Sequence, residues 1–319
     1  MPKSTHKRLL LAVAESSYGT FNTSIAGTDA LLVSNLDCQP LDAGLIDREL
    51  VLPWFGNREK IIGQRIGTCT FDVELAGSGT AGTAPRWGRL LRACGFGETV
   101  VPASPGPGSV TYAPASSSII GVSLDFNNDG NRHRLAGCRG QATFNLAAGE
   151  IPRISFEFSG LYVAAAAAAL ETPTFGGQAT PVVVNSANTT AVSVLGLSAC
   201  MQSFNLALNN ELPFRQLAGC TQEYMITNRA PSGEVVIEAP VIGSGSGEKD
   251  YFAQVISQAT GSISWQHGQT AGNIVTLTMG QCNIDNPTYS DSDGIQMLTV
   301  PYMAQPTSAG LAEMSLVLT

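Results

Sequence analysis

In the stretch Thr68-Cys69-Thr70-Phe71-Asp72-Val73-Glu74-Leu75, every odd position is apolar and every even position polar. A period of two marks a β-strand with one face in a core and the other on a wet or interfacial surface. Arg153 to Ser159 repeats the pattern through Ile154, Phe156 and Phe158. Further strands are predicted over 122–126, 142–146, 203–208, 234–238, 274–279 and 297–302, with a first strand or short anchor segment over 9–14. Asn127-Asn128-Asp129-Gly130 and Asp291-Ser292-Asp293-Gly294 predict hairpin tips, since Asn, Asp and Gly tolerate the left-handed backbone of tight turns.

A helical period is confined to two segments. One opens after Pro85, a residue suited to a first helical turn, carries Trp87, Leu90, Leu91 and Cys94 on one face, and stops at Gly95. The second runs from Glu248 to about Ser257, with Tyr251, Phe252, Val255 and Ile256 as its apolar face. Each follows an acidic-apolar strand through a loop of small residues, 77–83 or 243–247. The two copies lie roughly 160 residues apart, about one domain length. Similar passages also end each half, from Gly149-Glu150-Ile151 to Tyr162 and from Asp293-Gly294-Ile295 to Tyr302. An internal duplication is therefore expected. The alanine run 164–169, which could make one helical turn, leads into Pro173, Gly176 and Gly177, which read as a linker. The division falls near residue 175, giving domains 1–175 and 176–319.

Composition narrows the function. Charged residues are 13% of the 319-residue chain, about half the ~25% of ordinary soluble domains. So little charge suits a protein buried against copies of itself. The net charge of −8 argues against a protein that grips nucleic-acid phosphates, though not against one past which DNA slides. The seven cysteines are scattered and form no C-x-x-C pair, so neither a disulfide framework nor a zinc site is expected, and a reducing cytoplasm fits best. Lys3, Lys7 and Arg8 before Leu9-Leu10-Leu11-Ala12-Val13-Ala14 imitate a signal peptide, which makes a secreted or fimbrial β-sandwich subunit the main rival reading. The apolar run is shorter than such peptides need, and intact Met1 or Pro2 would exclude the rival. No stretch approaches the ~20 apolar residues of a membrane span.

The sharpest enzymatic pattern is Gly77-Ser78-Gly79-Thr80-Ala81-Gly82, a literal G-x-G-x-x-G between strand and helix that would suit an NAD-binding enzyme. The preceding strand alternates, however, whereas a dinucleotide-binding strand is buried on both faces. The corresponding loop Gly243-Ser244-Gly245-Ser246-Gly247 has different glycine spacing, which favours an architectural role. His6, His133 and His267 show no metal-ligand spacing, and no nucleophile elbow occurs. No catalytic, cofactor or metal residue is expected. What remains is an acidic strand face: Asp72, Glu74, Glu157, Glu234 and Glu238. Singly these are ordinary solvated positions. Together they could line a channel and repel DNA phosphates over a screening length of about 8 Å.

The run Gly67-Thr68-Cys69-Thr70-Phe71-Asp72-Val73-Glu74-Leu75-Ala76-Gly77, continuing through the glycine loop to Pro85-Arg86-Trp87-Gly88-Arg89-Leu90-Leu91-Arg92-Ala93-Cys94-Gly95-Phe96, resembles the strand–loop–helix of tail tube proteins from siphophages infecting Gram-negative bacteria. The flanks agree: Ser17-Tyr18-Gly19-Thr20, Ala136-Gly137-Cys138-Arg139-Gly140 and Ser159-Gly160-Leu161-Tyr162. The resemblance implies a mainly β fold of two tandem tail-tube β-sandwich domains, each with a short flanking helix and extended arms or loops. It implies rings with continuous inner sheets, stacked around a tape-measure protein, with a tail terminator and a distal tail protein as further partners and double-stranded DNA passing through. It supplies no catalytic residue. Two domains per chain favour a six-fold ring made from three chains, with a ring of six chains as the alternative. The Ser/Thr/Gly/Pro-rich segments 101–118 and 178–190 are expected to be mobile arms for contacts between rings.

Overall fold

The computed structural model describes residues 3–308 and 310–319, so Met1 and Pro2, on which the signal-peptide question turns, lie outside it. Strand accounts for 49% of the chain and helix for 5%. The first half contains β1 (Arg8–Ala14), β2 (Ser34–Asp47), β3 (Lys60–Glu74), helix α1 (Gly88–Ala93), β4 (Phe96–Val101), β5 (Ser109–Pro114), β6 (Val122–Asn128), β7 (Asn131–Ala147) and β8 (Arg153–Ala167). The second contains β9 (Thr189–Val194), β10 (Leu197–Ser198), β11 (Met201–Ala207), β12 (Phe214–Arg215), β13 (Glu223–Tyr224), β14 (Ser232–Glu238), helix α2 (Tyr251–Ser257), β15 (Gly261–His267), β16 (Val275–Ile284), β17 (Thr288–Ser292), β18 (Ile295–Ala304) and β19 (Ser315–Leu318).

The predicted alternation is realised in the burial. Cys69, Phe71, Val73 and Leu75 are buried, as are Ile154, Phe156 and Phe158, while the residues between them face outward. Phe71 stacks with Phe158 at 6.0 Å between ring centroids, so the apolar faces of β3 and β8 form one aromatic layer. Both hairpin tips are present. Asp129, Gly130, Asp293 and Gly294 all adopt positive φ, the backbone that tight hairpin turns require.

The two halves share one order of pairing. In the first it is β1–β6–β7–β8–β3–β2, antiparallel throughout. In the second it is β9–β15–β16–β18–β14–β11, again antiparallel, with β17 continuing β16 alongside β18. The helix follows β3 in one half and β14 in the other. Two strand pairs join the halves: β7 with β11, and β5 with β19. One apolar cluster accordingly runs through both, from Leu10 and Trp87 to Trp265 and Leu316.

Four expectations are corrected. The alanine run is strand up to Ala167, because β8 continues beside the start of β7, with Ala166 opposite Arg132. Ladder pairing there outweighs alanine's high intrinsic helix propensity. Segment 101–118 is not a free arm: β5 lies between β4 and β19. Segment 178–190 is strapped to the body by Ala179 N–H to Gly77 O at 2.7 Å and Val184 N–H to Glu150 O at 2.9 Å, with Val184 buried. Finally, Cys38 and Cys69, which face each other across β2 and β3, form a disulfide. The other five cysteines are free, as expected of all seven. A helix boundary also shifts: α2 begins at Tyr251, capped by Asp250, whose Oδ1 accepts from Ala253 N–H at 2.8 Å, and Ile256 faces outward.

Candidate assembly surface

The β7–β11 joint extends a single sheet through both halves in the order β2–β3–β8–β7–β11–β14–β18–β17. One face of this sheet packs on the core. The opposite face carries a row of directly opposed residues, Glu74–Arg153–Asn145–Asn205–Glu234, followed by Pro301 on β18. Asp72 and Glu157 stand on the same face of β3 and β8, and Glu238 on that of β14. The structure therefore brings all five predicted acidic residues onto one sheet face, although they come from strands up to 166 positions apart (Asp72 to Glu238). Glu157, Glu234 and Glu238 are exposed, and Asp72 and Glu74 are half-buried. Asn35 Nδ2 donates to Asp72 Oδ2 at 2.6 Å and Gln141 Nε2 to Glu157 Oε2 at 2.7 Å, so these two carboxylates are held by neutral donors. At the joint itself Asn205 Nδ2 donates to Asn145 Oδ1 at 2.6 Å.

A second layer of contacts clamps the halves. Segment 208–231, between β11 and β14, lies across the first half. Arg139 Nη1 and Nη2 donate to Tyr224 O at 2.6 Å and Ile119 O at 3.0 Å, and the guanidinium sits 4.3 Å from the centre of the Tyr18 ring. Tyr224 N–H donates to Tyr18 Oη at 2.7 Å. Burial pushes the Tyr18 phenol up to about 12, keeping it neutral beside Arg139. Asn210 Nδ2 reaches Cys94 O and Gly140 O, and Arg229 Nη1 donates to Ala115 O at 3.0 Å.

The glycine loop 77–82 belongs to this clamp. Gly77 N–H donates to Asn273 Oδ1 at 2.8 Å and Gly79 N–H to Gly272 O at 3.0 Å. A Cβ on Gly77 would meet Gly272 O, so glycine is required by close approach of two backbones. The Gly77 and Gly79 amides, which a dinucleotide pyrophosphate would use, are thus committed to protein acceptors. His267 is similarly structural: Thr189 Oγ1 lies 2.9 Å from Nδ1 and Val182 O 3.1 Å from Nε2, and burial lowers its pKa. His133 stacks on Phe126.

Both ends of the long sheet are open. Among the described residues β2 pairs only with β3, and β17 only with β18. Beyond the base of β2 the β2–β3 hairpin projects with its apolar side chains uncovered. Leu45, Ile46, Ile61 and Ile62 are exposed, Trp54 is 63% exposed, and Val51 and Phe55 are wholly so. The sequence reading missed this hairpin. Its signal was present as apolar residues without a strict period across 45–62, punctuated by Pro53 and Gly56. Exposed apolar groups on this scale mark a surface covered in an assembly.

The fold defines a mainly β protein of sandwich type whose long antiparallel sheet has open edges. The family described as phage tail tube protein matches residues 5–304, and the chain belongs to that family. It is a structural component of the virion tail. No curated protein sequence matches the chain. Among the described residues no helix is long and apolar enough to cross a membrane.

Proposed function

We propose that this chain is the subunit of a non-contractile siphophage tail tube, made in the host cytoplasm, whose copies close into rings that stack into a DNA-conducting channel. Each chain contributes two tandem tube domains, 1–175 and 176–319, so that three chains make a ring of six domains. The tape-measure protein occupies the lumen during assembly, and a terminator and a distal tail protein cap the two ends. The subunit works by assembly and conduction, without catalysis.

The observation that carries this reading is the single sheet spanning both halves, open at β2 and β17 and acidic on its outer face. Open strand edges invite pairing with another chain. Heterologous contacts close into a ring when the rotation permits, and contacts between rings that do not close give a filament. Asp72, Glu74, Glu157, Glu234 and Glu238 then face the lumen. Their negative charge repels phosphates and keeps DNA from adhering in transit. The apolar β2–β3 hairpin is covered by an adjoining copy, just as its counterpart 208–231 is covered by the first half of its own chain.

Negative-stain electron microscopy of the concentrated, purified protein tests the proposal. Rings or tubes are expected, and a persistently globular monomer would defeat it. For the channel lining, replacing the five carboxylates with lysine is expected to leave tube formation intact and to impair DNA delivery. Equal delivery by the lysine variant would remove the electrostatic role.

A further inference from the structure

The shared pairing order gives each strand of one half a counterpart in the other. Ile154 and Leu298 each lie three residues beyond the isoleucine of their hairpin turn, Ile151 or Ile295. Ile154 pairs with Val73 on one side and Phe144 on the other, and Leu298 pairs with Ile237 and Tyr289. Tyr289 thus stands where Phe144 stands in the first half, and Ile237 where Val73 does. Four residues back along the same strands, Gly233 corresponds to Cys69. Gly233 pairs with Leu206, and Cys69 with Cys38. Cys38 on β2 is therefore the counterpart of Leu206 on β11.

Within the chain, Leu206 pairs with Phe144, and both are fully buried. Their counterparts are not: Tyr289 is 46% exposed and Cys38 half-buried. β11 has neighbours on both edges, whereas β2 has only β3. The end of β7 lies between β8 and β11, whereas β17 has only β18. What each exposed strand lacks is the neighbour that its counterpart already has.

We propose, resting on the tube reading above, that β2 of one copy adds antiparallel to β17 of the next. The register is Cys38 opposite Tyr289, Asp37 opposite Ser290 and Gln39 opposite Thr288. These repeat the internal pairs Leu206–Phe144, Asn205–Asn145 and Ala207–Thr143. The interface is head-to-tail, so each copy offers β2 on one side and β17 on the other, and the acidic sheet face runs without interruption from chain to chain. The ring closes at three chains.

Cysteine cross-linking of the full chain tests the register. Exposed Cys200 and Cys220 are first replaced by serine, and Gln39→Cys is combined with Thr288→Cys. After assembly and oxidation, non-reducing denaturing electrophoresis is expected to show a covalent trimer that reductant returns to monomer. Gln39→Cys with Tyr289→Cys places the thiols on opposite faces and is expected to cross-link at least 10-fold less. Asp37→Cys with Ser290→Cys is an independent pair should the first disturb folding. Tubes seen by microscopy with neither in-register pair cross-linked would overturn this strand pairing while leaving the tube reading in place. A ladder running on to six chains would overturn closure at three. Failure of the unsubstituted chain to form rings or tubes would overturn the tube reading, and this pairing with it.

Discussion

Arg139→Met tests whether segment 208–231 is held to the first half by one side chain. The substitution keeps most of the aliphatic stem and removes the guanidinium. Two charged-donor hydrogen bonds are lost, to Tyr224 O and Ile119 O, each contributing about 1.5–3 kcal/mol. The stack on Tyr18 adds about 0.5–2 kcal/mol. Two features reduce the loss. Arg139 Nε finds no acceptor among the described residues, so its removal returns about 1 kcal/mol. Glu223, 3.8 Å from the Arg139 guanidinium, keeps Arg215 as a partner at 3.0 Å and is not stranded as an unpaired charge. The net cost is at least about 2.5–3 kcal/mol, on the order of a 100-fold change in a local opening equilibrium. Amide hydrogen exchange on the unassembled protein reads this directly. The Tyr224 amide, bonded to Tyr18 Oη, and the Met225 amide, bonded to Pro213 O, are expected to exchange about 100-fold faster. Amides in β3 and β8 should be unchanged. Acceleration below about 5-fold would show that Arg139 does not hold the clamp.

Gly77→Ala places a Cβ against the Gly272 carbonyl and is expected to lower the melting temperature sharply, with loss of soluble protein. Gly280→Ala meets nothing within 4 Å and serves as the neutral control in the same thermal assay. Acid should loosen the strap 178–190. Burial depresses the folded pKa of His267, so the unfolded chain takes up a proton first; stability is full above the ordinary value of about 6.5 and falls as pH drops below it. Chemical denaturation between pH 7.5 and 5 is expected to show this loss in the native chain and a flatter profile in His267→Gln. Deleting residues 49–58 removes the exposed tip of the β2–β3 hairpin. Folding should be preserved by circular dichroism, while the concentration needed for tube formation rises at least 10-fold by light scattering.

The strands and tight turns were legible because period-two alternation and Asn/Asp-Gly chemistry are local, and Phe71, Phe156 and Phe158 lie where that pattern predicts. Helix α1 was legible for the same reason, its face fixed by Trp87, Leu90 and Leu91. The repeat was visible as two strand–loop–helix passages, and the shared pairing order now gives it structural content. What sequence could not show is long-range pairing. Nothing local says that Ala166 will lie beside Arg132, that β5 will take β19 as a partner, or that Cys38 and Cys69 will meet across a ladder. The five carboxylates could be read as outward-facing, but their sharing of one sheet depends on the β7–β11 joint. The strap 178–190 looked free because its composition is that of a linker, yet its backbone amides find acceptors on the body.

The β7–β11 joint is tethered. Its strands belong to one chain, so it forms at an effective concentration in the millimolar range whatever the dilution. Its core-facing side chains can therefore be purely apolar, as Phe144, Leu206 and Phe204 are, while Asn145 and Asn205 bond to each other on the outer face. The free edges face a different selection. In the proposed assembly they stay unpaired in the newly made subunit and pair only when a growing tube presents a partner. Tyr289, Ser290, Asp291 and Ser292 on β17, with Asn35, Asp37 and Gln39 on β2, carry hydroxyls, amides and carboxylates that water solvates well. In the proposed ring, carrying both halves on one chain halves the number of encounters that closure needs. It also lets one chain hold a permanent seam and a conditional one, each with the chemistry its timing requires.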